Sequence, residues 1–180
     1  MARNRFMVGL IFLVFFVISL LSNILGPIVP DIIQTFSVNL GAAGLLVFAF
    51  FIAYGVMSIP AGFLVERYSE KLVMICAFVG ATLGSISFAL HPTYKMAFLS
   101  LFVIGVGMAM LQVAINPLLR VSGGEEHFAL NETIAQLIFG SASFLSPWIY
   151  SYLVLNLPEG TQRTNPLLRS EEHTSELQSQ

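Results

Sequence analysis

Five long stretches of the chain are free of charge or nearly so: Phe6–Pro30, Ile32–Val65, Leu72–Ser100 with Lys95 as its single interruption, Met96–Leu119 and Thr133–Pro158. A helix needs about 20 mostly apolar residues to cross the hydrocarbon core of a bilayer, and each stretch supplies them. The pattern predicts an all-α integral membrane chain with five transmembrane helices, over about 6–29, 41–65, 72–90, 94–119 and 133–155. Between them lie Asp31–Asn39, the charged turn Glu66–Lys71, His91-Pro92 and a polar loop over Arg120–Glu132. Pro60 is expected to kink or locally unwind the second span.

Composition strengthens this reading. The chain is 56% hydrophobic and only 10% charged, where a soluble domain carries about 25% charged residues. The net charge of -2, with no basic patch interleaved with aromatics, gives no sign of a nucleic-acid partner, and none is expected. The lone Cys76 lies in an apolar run without a His or Cys at ligand spacing, which favours a packing role over redox or metal chemistry. No metal or cofactor is expected. Arg3 and Arg5 before an apolar run resemble a signal peptide, yet the run exceeds the roughly 7–15 residues of such a segment and no A-x-A site follows. It is read as a retained first span.

Charge placement also orients the chain. With the N-terminus inside, Arg3, Arg5, Arg67, Lys71 and Arg120 all fall on the inner side, and the outer loops before residue 159 hold only Lys95. A cytoplasmic N-terminus in a cell membrane follows. Asn131-Glu132-Thr133 matches a glycosylation sequon but falls on the inner side, so it is read as chance. His91 and His127 are read as solvated loop residues.

The spans contain no deep acid or base, so the intramembrane polar groups are amides and hydroxyls at helical spacing. Ser19 and Asn23, Tyr54 and Ser58, and Gln112 and Asn116 are i,i+4 pairs, and Gln136, Gly140, Ser143 and Pro147 form a stripe. Two readings stand side by side. Such groups bond neighbouring helices at about 0.6 kcal/mol each, or they converge on a common cavity. Amides offer donors and acceptors together, which suits the hydroxyls of a neutral solute such as a sugar; an anionic substrate calls for Arg or Lys. Tyr54 and Trp148 offer flat faces to such a solute, and Trp148, Tyr150 and Tyr152 equally suit an interfacial anchor. Gly80-x-x-x-Gly84 and Gly105-x-x-x-Ala109 are read as small-residue helix contacts inside the bundle. An intramembrane enzyme lacks a nucleophile–base or metal constellation here.

The turn Gly62-Phe-Leu-Val-Glu66-Arg67-Tyr-Ser69-Glu70-Lys71 resembles the signature loop of the major facilitator superfamily, with Ser69 in place of the second Gly. In that loop Gly62 would allow close helix approach, and Glu66 and Arg67, with Lys71, would bridge helix ends. Leu21–Pro27, Ile59–Gly62, Gln112–Pro117 and His127–Asn131 resemble the fucose and glucose/galactose permease branch. The resemblance implies the N-terminal half of a major-facilitator-type helical bundle, a carrier working by alternating access, and a site at Asn23, Tyr54, Gln112, Asn116 and Gln136. The branch's acidic positions are the amides Asn23 and Gln112 here, and an amide cannot carry a coupling proton. A drug or other-solute facilitator and a non-transporting five-span protein remain the alternatives. Residues Arg169–Ser179 resemble the in-frame translation of a common DNA-sequencing adapter, so 169–180 is set aside as a non-native tail. Residues 159–168 are read as an external loop, and the gene is expected to continue beyond Leu168 into the missing C-terminal half.

Overall fold

A computed structural model describes residues 5–156. The expected external loop and tail lie outside the described residues. Within them the chain forms six helices: α1 Arg5–Asn23, α2 Val29–Phe36, α3 Leu40–Arg67, α4 Glu70–Leu90, α5 Tyr94–Gly123 and α6 Phe128–Asn156. Five, all but α2, are long and apolar enough to cross a membrane.

Helix boundaries follow local chemistry. Pro27 carries no amide hydrogen, and after Asn23 the chain passes through a turn before α2, so the first helix stops short of the expected residue 29. Asn39 caps α3 by accepting from Ala42 N–H at 2.8 Å, and Thr93 caps α5 by accepting from Met96 N–H at 3.3 Å. Ser69 caps α4 through Leu72 N–H and does so at φ 145. That backbone region favours glycine, the residue of the signature loop that Ser69 replaces. Pro60, Pro117 and Pro147 all lie inside continuous helices, and α3 runs through Pro60 without a break.

The polar loop expected over Arg120–Glu132 is much shorter. α5 reaches Gly123, a single 3₁₀ turn follows at Glu125–His127, and α6 begins at Phe128. Polarity marks where a span leaves hydrocarbon, and a helix can continue beyond that level. Asn131 and Glu132 are therefore helical residues.

Successive long helices alternate in direction, and α5 is the hub. It packs along α3 and α4, and its C-terminal half also meets α1. Close approach is set by small residues. A methyl on Gly105 would overlap the Phe50 carbonyl oxygen of α3, and one on Gly107 would lie 2.8 Å from the Ala77 oxygen of α4. A methyl on Gly84 would lie 3.3 Å from the Ser100 carbonyl oxygen, whereas one on Gly80, its expected partner in the same motif, would meet nothing within 4 Å. α1 pairs with α6 through the cluster Val8, Ile11, Phe15, Ile115, Leu119 and Ala135. Outward, large apolar side chains such as Phe6, Phe48, Phe63, Phe144 and Trp148 are exposed on every side. A soluble monomer rarely shows so much contiguous apolar surface, and such a surface suits a hydrocarbon surrounding. Cys76, for which a packing role was expected, is exposed on that surface.

Candidate functional site

α5 carries the two amides that the spacing singled out. Gln112 is half-buried and Asn116 exposed, one turn apart on the helix that contacts four others. Among the described residues neither amide makes a hydrogen bond. Tyr54 on α3 is half-buried, stacked against Phe50 at 6.3 Å between ring centroids. It packs on the cluster that joins Ile18 and Leu25 from the first span to Met108 and Leu111 of α5. Its hydroxyl likewise makes no hydrogen bond among the described residues. Asn23, at the end of α1, turns its Nδ2 back to Ser19 O at 2.9 Å and Ser19 Oγ at 3.4 Å. Only its carbonyl oxygen is left to face a ligand.

Ser19 is committed elsewhere. It is fully buried and donates to the Phe139 carbonyl of α6 at 2.6 Å, and buried Ser146 donates back to the Leu20 carbonyl at 2.9 Å. These hydroxyls join α1 to α6, so for Ser19 the helix-bonding reading holds.

Gln136 stands apart. It is exposed, donates to Glu132 Oε1 at 3.0 Å, and lines an open groove of about 750 Å³ with Thr133, Leu137, Gly140, Ser141 and Phe144. Every residue of that groove lies on α6, and Asn23, Tyr54, Gln112 and Asn116 are not among them. Ser58 donates to Gly55 O at 2.7 Å within its own helix.

The signature loop also differs in detail from expectation. A methyl on Gly62 would meet nothing within 4 Å, so Gly62 does not mark a close approach. Glu66, Arg67 and Lys71 are exposed, the Arg67 guanidinium lies over the Tyr68 ring at 5.7 Å, and the ion pair among the described residues is Arg120–Glu125 at 2.8 Å. Glu66 and Arg67 are consecutive on α3, so they point about 100° apart and do not close on each other.

Two groups escaped the sequence reading. Asn131 is fully buried beside Gly123 and leaves both amide atoms without a partner. Its burial leaves no room for a glycan at the sequon. Glu132 is half-buried, with one oxygen held by Gln136 and the other buried and unpaired. The i,i+4 spacing of Glu132 and Gln136 was visible; the loop assignment over 120–132 hid it.

Residues 11–158 match the family model described as Major Facilitator Superfamily. The chain belongs to the Major Facilitator Superfamily. It is similar to a glucose/galactose transporter of Brucella abortus biovar 1 (strain 9-941), 31% identical over 147 residues that cover 80% of this chain and 36% of that protein. It is also 31% identical over 145 residues to the L-fucose-proton symporter of Escherichia coli (strain K12), covering 73% of this chain and 33% of the symporter. The Haemophilus influenzae (strain ATCC 51907 / DSM 11121 / KW20 / Rd) L-fucose-proton symporter is 26% identical over 145 residues, 79% of this chain and 34% of the relative. The chain thus spans about a third of the length of the curated relatives it matches. As a facilitator-family chain with five span-like helices, it is a multi-pass membrane protein.

Proposed function

We propose that the chain is the N-terminal part of a secondary carrier that moves a small neutral solute, a sugar such as a hexose or fucose, across a cell membrane. In carriers of this kind two bundles rock about a site near the bilayer midplane, so a second half of the same protein completes the machine. The observation that carries the reading is the pair of unspent amides, Gln112 and Asn116, one turn apart on the central helix. Each amide both donates and accepts, which matches a polyol, and neither bears the charge an anion would need. The free hydroxyl of Tyr54 and the remaining acceptor of Asn23 extend the same chemistry. Gln136 joins the set only through a solute that reaches the groove on α6. The printed names of the similar proteins, a glucose/galactose transporter and an L-fucose symporter, support the same substrate class.

Orientation is part of the proposal. Arg5, Arg67, Lys71 and Arg120 cluster at one end of the bundle and Lys95 alone marks the other, which favours a cytoplasmic N-terminus.

The test is radiolabelled sugar uptake into cells expressing the full-length carrier. Gln112→Leu should abolish uptake while membrane insertion stays intact. Undiminished uptake by that variant sinks the site. Export of hydrophobic cations without any sugar uptake moves the protein to the drug-facilitator class.

A further inference from the structure

The nitrogen end of the Asn23 amide is engaged within the protein. Nδ2 carries two hydrogens, and it faces the Ser19 main-chain oxygen at 2.9 Å and, at a longer 3.4 Å, Ser19 Oγ. The two ends of an amide are told apart by what they meet. A main-chain oxygen can only accept, so the end turned towards Ser19 O is the donor and Oδ1 points the other way.

Ser19 fixes the direction of the second contact. Its Oγ has one hydrogen, and the Phe139 carbonyl of α6 takes it at 2.6 Å. The same oxygen therefore meets Nδ2 as an acceptor. Ser19 is fully buried, so water does not compete for these bonds. Asn23 Oδ1 is in a different position. Asn23 is half-buried at the end of α1, and among the described residues Oδ1 makes no hydrogen bond. The non-helical turn over residues 24–28 begins beside it, and such backbone at membrane depth persists where it is covered by protein or lines water.

We propose that Asn23 is an acceptor-only subsite, which takes a hydroxyl that donates to Oδ1, and that Ser19 is the positioning residue that imposes this polarity. The subsite presupposes the carrier reading, and within it names the kind of group the solute must present. Gln112, which makes no hydrogen bond among the described residues, offers both N–H and C=O and receives a hydroxyl in either sense. Asn23 does not have that choice. A solute group that only accepts, such as an ether oxygen or a fluorine, leaves Oδ1 desolvated and unpaired, which costs more than a neutral hydrogen bond gains. The subsite thus demands a donor at one position of the solute, a discrimination that Gln112 does not make.

The experiment competes radiolabelled sugar uptake by the full-length carrier with monodeoxy and monofluoro analogues of that sugar, position by position. Fluorine removes the donor and keeps a weak acceptor. At the position read by Asn23, both analogues should lose affinity alike, by about tenfold. Asn23→Ala should make that position indifferent to either replacement. Ser19→Ala keeps the main-chain bond but frees one Nδ2 hydrogen, so the fluoro analogue should recover severalfold over the deoxy analogue. A merely structural Ser19 would shift both equally. Membrane insertion is checked for each variant, and Ser19→Ala carries the test should Asn23→Ala fail to insert. A transporting parent that accepts the fluoro analogue undiminished at every position, discrimination that survives in Asn23→Ala, or the parent's pattern in Ser19→Ala overturns the subsite alone. A parent that takes up no sugar overturns the carrier reading and the subsite with it.

Discussion

The hydroxyl of Ser19 on α1 donates to the main-chain carbonyl of Phe139 on α6 at 2.6 Å, with both partners 120 residues apart in sequence. Ser146 returns a bond to the Leu20 carbonyl at 2.9 Å about two turns further along α6, so the two helices hold each other reciprocally. In a bilayer, where lipid is as apolar as any side chain, such bonds are part of what distinguishes one helix pairing from another.

Ser19→Ala and Ser146→Ala should each destabilise the bundle by about 0.6 kcal/mol, and by no more than roughly 2. Reversible unfolding in mixed micelles measures this. If either variant is as stable as the parent, the hydroxyls are not what joins α1 to α6.

Ser69 holds φ 145, where a side chain is strained at a cost of about 1–3 kcal/mol. Exchanging the cap for Gly loses only a few tenths of a kcal/mol. Ser69→Gly should therefore stabilise the protein by about 1 kcal/mol or more. A destabilised Ser69→Gly in the same unfolding assay contradicts the backbone assignment at the α3–α4 turn.

Gly105 and Gly62 should respond in opposite ways. Gly105→Val forces α5 off the Phe50 carbonyl and should cost about 1–3 kcal/mol or prevent assembly. Gly62→Ala meets nothing within 4 Å, so the gain in helix propensity of roughly 0.5–1 kcal/mol should show as a neutral or stabilising change. Equal losses at both sites would argue that Gly62 lies in a contact after all.

Asn131 is buried with an unpaired amide, which carries a desolvation cost of about 1–3 kcal/mol. Asn131→Leu, close in size, should be neutral or stabilising, and Asn131→Asp should be strongly destabilising because it buries a charge. Thermal unfolding of the two variants side by side checks the order. A Leu variant that loses stability as the Asp variant does points to a polar partner for Asn131.

Orientation can be read chemically. In the Cys76→Ala background, a membrane-impermeant maleimide added to intact cells should label Lys95→Cys and leave Arg67→Cys untouched. The reverse pattern inverts the topology.

The apolar runs alone established the membrane class, since a stretch of that length without charge has no other stable home than lipid. The Glu66–Lys71 turn and the Gln112–Pro117 segment pointed to the superfamily, and periodicity correctly grouped Gln112 with Asn116 on one helix face. Periodicity is a property of one helix, however, and says nothing about which neighbour that face meets. Ser19 and Asn23 share a face, yet Ser19 belongs to the α6 contact while Asn23 bonds back to it. Gln136 has the same residue type as Gln112 but lies on a different surface, tied to Glu132. Asp31, unremarked in a polar connection, becomes a partner of Tyr150 because the chain breaks after Asn23 and α2 folds back towards α6. Hydrophobicity is summed along the chain and is therefore visible in it. Partnership between polar groups depends on helix rotation and close approach at residues such as Gly105 and Gly107, and those arise only when the helices pack.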